Sequence, residues 1–306
     1  MSVMTERSTP APRASATIAI LGLGPMGAAI AAAADAQGYR VVAWNRTPRT
    51  REEIGLASAS RVRVTSSPSA AVRDADLVVL CVRNHGASRN LLDQIAPAAE
   101  GRPVVNVSTG TPSDALATAA HAAHLGMRYV TGAVMVPTPM VGTDDCFVIY
   151  AGNAADLADA ECLFDALQGT SDVVGDDHAV PPALDLAMLD IYFAGMYAHF
   201  HATALANAYG IEPARFLPYA RGIVDTLGGS LAGLTTAVER RRYDTGEASV
   251  EMCLSFLTHI VSASRDAHID PGLAELVRAA SARAAERSPA SIDWDVVAEH
   301  FLEVAE

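Results

Sequence analysis

Basic charge is the first thing this chain is short of. Its 22 basic residues stand against 35 Asp and Glu, for a net charge of −13 and a pI near 5.1. Neutralising phosphates takes a basic face, so this balance argues against a nucleic-acid partner. Cysteine is scarce as well. The four present (Cys81, Cys146, Cys162, Cys253) show neither paired nor metal-ligand spacing. No metal site is expected, and the thiols read as reduced, in a cytoplasmic protein. A clean membrane span is also missing. Residues 16–34 are almost uncharged and nearly long enough to cross a bilayer. With Arg13 before them they also mimic a signal peptide. The glycine–proline interruption at 22–27 explains the stretch better as part of a folded βαβ unit, so no membrane partner is expected. What remains is a globular composition, 50% hydrophobic and 19% charged over 306 residues. That length suggests about two domains. Residues 1–14, rich in Ser, Thr, Pro and Arg, read as a disordered extension.

What is present is concentrated in Thr17–Thr47, TIAILGLGPMGAAIAAAADAQGYRVVAWNRT. An apolar run leads into Gly22-Leu23-Gly24-Pro25-Met26-Gly27, then an alanine-rich helical pattern, then a second apolar run closing on Trp44. Strand, glycine turn, helix and strand in that order make a dinucleotide-binding unit. Gly22 permits the tight turn, Gly24 lets the backbone approach a pyrophosphate, and Gly27 lets helix and strand lie close. The pyrophosphate would sit on the helix N-terminus, where unpaired N–H groups favour an anion.

The end of the second strand indicates which dinucleotide. NAD enzymes carry Asp or Glu there, about 20 residues past the glycines, to accept from the ribose 2′-hydroxyl. Here the position is Asn45, followed by Arg46, Thr47 and Arg49. No carboxylate repels a 2′-phosphate, and guanidinium groups can hold one bidentately. A solvated basic loop would carry the same residues. The reading adopted is NADP(H).

Beyond Thr47 the alternation continues. Strands are expected at Arg61–Thr65, Leu77–Val82, Val104–Val107, Met127–Val130 and Cys146–Gly152, with helices such as Pro112–Leu125 and Ala155–Leu167 between them. The fold class is α/β: a Rossmann-type doubly wound sheet over residues 15–178, then a helical domain over 179–306. Ligands in such sheets lie at the carboxyl ends of strands. Three segments fall there: Cys81-Val82-Arg83-Asn84, Asn106–Gly110 with Ser108 and Thr109, and Val134–Met140 with Met135 and Pro137. They are the expected walls of a nicotinamide pocket. From Pro181 the pattern turns helical, with a long helix at Ala183–Tyr209 that is apolar all round and must be covered all round. A second subunit is the natural cover. Further helices are expected at Pro213–Gly228, Ser249–Ala267, Pro271–Arg287 and Asp293–Val304.

The glycine fingerprint with its WNRT ending, the segment NVSTGTP at 106–112 and GAVMVPTPMVG at 132–142 resemble the imine reductases of the β-hydroxyacid dehydrogenase superfamily. The resemblance runs from Ile18 to about Leu302, with departures at Ala43 and Thr50. It implies a homodimer with shared active sites, a long linking helix, and NADPH-dependent reduction of a C=N bond, with reductive amination as an extension. The superfamily's hydroxyacid dehydrogenases carry a catalytic lysine on that helix. In the imine reductase pattern a different residue stands there, eight after an acid that follows glycine and one other residue. Gly175, Asp177 and Asp185 fit that spacing, and residues 127–215 contain no lysine. The resemblance places a proton donor eight residues further on, where this chain has Phe193. Tyr192, on the same helix face as Asp185, is the candidate donor, with Tyr197 and His199 behind it. The substrate pocket is expected from Met135, Pro137, Phe193 and Met196. The alternatives are an NADP-dependent dehydrogenase of small 3-hydroxyacids or aldehydes, and a non-catalytic NADP-binding dimer.

Overall fold

The computed structural model describes residues 16–56, 60–246, 248–289 and 292–302. The extension expected over residues 1–14 lies outside the described residues. The first unit alternates strand and helix: β1 (Thr17–Leu21), α1 (Pro25–Ala36), β2 (Arg40–Trp44), β3 (Arg63–Thr65), α2 (Pro68–Val72), β4 (Leu77–Leu80), α3 (His85–Ile95), β5 (Pro103–Asn106), α4 (Pro112–His124) and β6 (Arg128–Val134). Then come β7 (Phe147–Ala151), α5 (Ala154–Asp159), α6 (Glu161–Leu167) and β8 (Thr170–Val173). The strands form one sheet in the order β3-β2-β1-β4-β5-β6-β7-β8, parallel throughout except where β7 runs against β6.

The central strands read as near-continuous apolar runs because helices cover both their faces. In β1, Ile18 and Ile20 enter the core on one face while Ala19 and Leu21 enter the core on the other. In β4, Leu77 and Val79 join the first core and Val78 and Leu80 the second. A strand order that reverses direction at β1 and β4 leaves a crevice at their carboxyl ends.

Three expectations are corrected here. The helix expected over Ala155–Leu167 is two helices that meet at Ala160. The first sets buried Asp156 against the Arg128 guanidinium at 2.6 Å, while the second turns Leu163, Phe164 and Leu167 into the core. Strand β8 was not anticipated, because a polar, mostly exposed edge strand carries no apolar alternation. The helix expected to stop at Gly228 continues.

The chain divides into two compact units between Asp190 and Ile191. That division falls inside α7 (Val180–Ala208), further along than the start of the helix. The second unit holds α8 (Pro213–Arg240), α9 (Val250–Asp266), α10 (Gly272–Arg287), a 3₁₀ turn at Trp294–Ala298 and α11 (Glu299–Leu302). Helix α8 passes the glycine pair Gly228-Gly229 because Leu227, Leu231, Leu234 and Val238 keep the helical spacing going. It ends at Arg241, in the left-handed conformation with φ +47°. The 3₁₀ turn replaces the start of the expected C-terminal helix, and the Trp294 indole donates to Ser281 Oγ at 2.9 Å. Helices α7 and α8 leave large apolar side chains exposed, among them Ile191, Phe200, Tyr219, Ile223 and Val224. No described helix is long and apolar enough to cross a membrane.

Candidate active site

The glycine turn is fixed by backbone contacts that admit no side chain. Gly22 has φ +112°, and a Cβ there would sit 2.1 Å from the Cys81 carbonyl oxygen. A Cβ on Gly27 would lie 1.9 Å from the Gly22 carbonyl oxygen. The Gly22 N–H donates to the Trp44 carbonyl at 2.8 Å, which joins the turn to the end of β2. Pro25 opens α1 and no side chain caps it, so the first-turn amides remain for an anion.

Above the turn lies a cleft of about 700 Å³. Gly22, Gly24, Pro25, Met26 and Gly27 form its floor, Asn45, Arg46 and Thr47 one side, and Cys81, Val82 and Arg83 another. These eleven sequence-predicted residues come together in one place. Leu23 is buried instead and donates its N–H to Asn45 Oδ1 at 3.0 Å. Arg49 is exposed outside the lining. Sequence reasoning missed Trp44 and the inner face of α3, where Ala87, Asn90, Leu91 and Gln94 complete the wall. The Asn84 N-cap, whose side chain accepts from the Ala87 N–H at 3.0 Å, was the available signal for that helix. Burial pushes the Cys81 thiol up to about 12, so it stays protonated and unreactive.

Ser108 and Thr109 lie on the loop after β5. Ser108 is buried, and its Oγ accepts the Val82 N–H at 3.0 Å, tying two strand ends together. Thr109 is exposed, and neither residue lines the cleft. Met135 is half-buried and donates its N–H to the Phe147 carbonyl at 2.9 Å, while Pro137 is exposed before the 3₁₀ turn Thr138–Met140. Leading into α7, Asp177 accepts the Ala179 N–H at 2.9 Å, and His178 Nδ1 lies 2.9 Å from Thr131 Oγ1.

On α7 only Pro181, Pro182 and Asp185 are buried. Asp185 is 8% exposed, and burial raises its carboxyl above the ordinary range. No ion pair or hydrogen bond to it is found among the described residues. Tyr192 and Phe193 are exposed, and Met196 is half-buried, all on the second unit's part of the helix. The lysine-free stretch read from the sequence extends to the whole chain, whose 22 basic residues are all arginine. Arginine stays protonated and serves poorly as a base. All four cysteines are free, and no cluster able to hold a metal ion is found among the described residues.

Two families match consecutive parts of the chain. Residues 17–175 match the NAD binding domain of 6-phosphogluconate dehydrogenase, and residues 177–303 the NADPH-dependent reductive aminase-like C-terminal domain. The chain belongs to the imine reductase family. An NADPH-dependent reductive aminase from Aspergillus oryzae is 26% identical over 93% of this chain and 96% of its own length. A reductive aminase from Aspergillus terreus, solved in complex with NADPH4, cyclohexanone and allyl amine, has a TM-score of 0.85 at 26% identity, covering 94% of this chain and 99% of that one. An imine reductase from Streptomyces aurantiacus has a TM-score of 0.83 at 25% identity, over 93% and 99%. The Rossmann-type domain followed by a helical domain is therefore the imine reductase arrangement.

Proposed function

We propose that this chain is an NADPH-dependent imine reductase, which reduces the C=N bond of a cyclic imine or iminium to an amine and extends to joining a ketone with an amine. The observation that carries the reading is Asp185: a buried carboxylate on α7 in a chain without lysine. A hydroxyacid dehydrogenase of the lysine-dependent kind has no base here.

The cleft suits the dinucleotide. Gly24 lines its floor with open space where a side chain would stand, the free amides at the start of α1 suit a pyrophosphate, and Arg46 suits a 2′-phosphate. When bound, NADPH supplies the hydride for the imine carbon. The protein's part is to bind, orient and balance charge. Arg46 and Thr47 hold the adenosine end. Cys81, Val82 and Arg83 flank the middle of the cleft, and the loops carrying Ser108–Thr109 and Met135–Pro137, beyond its lining, adjoin the reacting end. Asp185 stabilises a substrate that arrives protonated, because a carboxylate acts more strongly on a cation when water is excluded. Phe193 cannot donate a proton. An imine that carries its own proton needs no donor, and Tyr192 is the donor for weakly basic ones.

The exposed apolar faces of α7 and α8 support a homodimer, in which each active site draws on both chains. Sedimentation at micromolar concentration tests it, and a stable, active monomer refutes it. A cytoplasmic location fits the free thiols.

NADPH consumption with 1-pyrroline-type imines, and with cyclohexanone plus a primary amine, tests the activity. NADP reduction with 3-hydroxyacids and no turnover of any imine would overturn it.

A further inference from the structure

We propose that His85 is a positioning residue that sets the Ser108–Gly110 loop, and that position 110 is glycine because the His85 ring occupies its side-chain space. The inference rests on the reading above that this loop, at the carboxyl end of β5, adjoins the reacting end.

His85 opens α3 and is 2% exposed. Its Nδ1 lies 3.0 Å from the hydroxyl of Thr118, which is itself fully buried in α4. That hydroxyl also accepts from Arg89 Nη1 at 3.0 Å and donates to the Asp114 carbonyl at 2.8 Å, so two further neighbours fix the group that orients the ring. The ring's edge meets Gly110 directly: a Cβ there would fall 2.3 Å from Cδ2 and 3.1 Å from Nε2. Real Cβ atoms do not approach carbon that closely, so any other residue at 110 displaces the ring.

The two ends of the loop are held separately. At the first, buried Asn106 accepts the Ser108 N–H through Oδ1 at 3.0 Å. At the second, Thr111 and Asp114 form a reciprocal cap on α4, with the Asp114 N–H donating to Thr111 Oγ1 at 3.1 Å. Between those anchors the His85 ring is packed against the loop. Removing it leaves a void beside Gly110 and lets Thr109 and Gly110 wander, while the glycine turn and Arg46, on other strands, stay as they were. The loss should appear in the reacting geometry and not in nucleotide affinity, since small misplacements of reacting groups are costly.

Four variants of the whole chain test this, with NADPH and 1-pyrroline-type imines. His85→Ala should lower kcat about ten-fold and erode enantiomeric excess with a prochiral imine, while the NADPH Kd stays within about two-fold. Gly110→Ala should lose activity by forcing the ring aside. The double variant should be more active than Gly110→Ala alone, because the new methyl group then has the vacated space. Thr118→Val, which keeps volume and removes the ring's hydroxyl partner, covers the case in which His85→Ala does not fold. A His85→Ala protein that melts earlier but keeps kcat and enantiomeric excess overturns the proposal, as does a double variant no better than Gly110→Ala. If the wild type turns over no imine, the functional reading fails instead. Melting temperatures of the single and double variants then still test the His85–Gly110 coupling, and purely additive losses overturn it.

Discussion

The side-chain oxygen of Asn45 accepts the backbone N–H of Leu23 at 3.0 Å, while its amide donates to the Thr47 carbonyl at 2.8 Å. One neutral side chain thus clamps the glycine turn to the loop that carries Arg46. A carboxylate here could still take the Leu23 N–H, but it would lose the Thr47 bond and face the 2′-phosphate with like charge. Asn45→Asp should raise the NADPH KM about ten-fold or more, a loss of about 1.4 kcal/mol per decade, and improve NADH. Steady-state kinetics with both cofactors decide it, and an unchanged preference counts against the assignment.

Arg46→Ala tests the other side of the same contact. Loss of a charge-assisted phosphate contact costs about 1.5–3 kcal/mol. The NADPH KM should rise far more than the NADH KM. Equal effects on the two would remove Arg46 from the phosphate site.

In its proposed role Asp185 links activity to stability. Burial raises its carboxyl, so the folded protein holds a proton there that the unfolded chain releases more readily. Below the ordinary carboxylate value of about 4 both states are protonated and the group contributes nothing. As pH rises through and above that value, stability is lost until the folded carboxyl has also ionised. Asp185→Asn should therefore melt higher than wild type at pH 7, with the gap closing toward pH 4. It should also lower turnover ten-fold or more, with NADPH binding nearly unchanged. Wild-type turnover in the Asn variant would show that the charge has no role.

Phe193 and Tyr192 separate two routes for the proton. If substrates arrive protonated, rate falls as pH rises above the imine's own pKa, most steeply for weakly basic imines. Tyr192→Phe should then matter only for those, where a general acid contributes typically 10²–10⁴-fold. Phe193→Tyr should raise rates on weakly basic imines specifically. A uniform loss over all substrates would mark position 193 as a packing site.

The parts legible in the sequence were those where backbone geometry dictates residue type. Gly22 and Gly27 sit where a Cβ would meet a carbonyl oxygen within about 2 Å, so the motif and its structure are nearly the same statement. The parts that were not legible lack such constraints. Strand β8 is polar and exposed on an edge, and Gly228-Gly229 looks like a stop while the apolar spacing carries α8 through it. Ser108 illustrates the limit within the site. Its position at a strand end was readable, but whether its hydroxyl faces a ligand or the Val82 N–H depends on a partner 26 residues away. Nothing local in NVSTGTP encodes that.

The segment from Met135 to Gly142 is pinned at both ends by backbone hydrogen bonds, Met135 N–H to the Phe147 carbonyl at 2.9 Å and Gly142 N–H to the Leu167 carbonyl at 3.1 Å. Neither bond depends on the side chains between them. The stretch is in effect an exchangeable cassette. With the pocket role proposed for Pro137, libraries at the exposed Pro137 and Pro139 are the place to begin directed evolution toward bulkier amines, while Val136, which packs against the sheet's core, is kept.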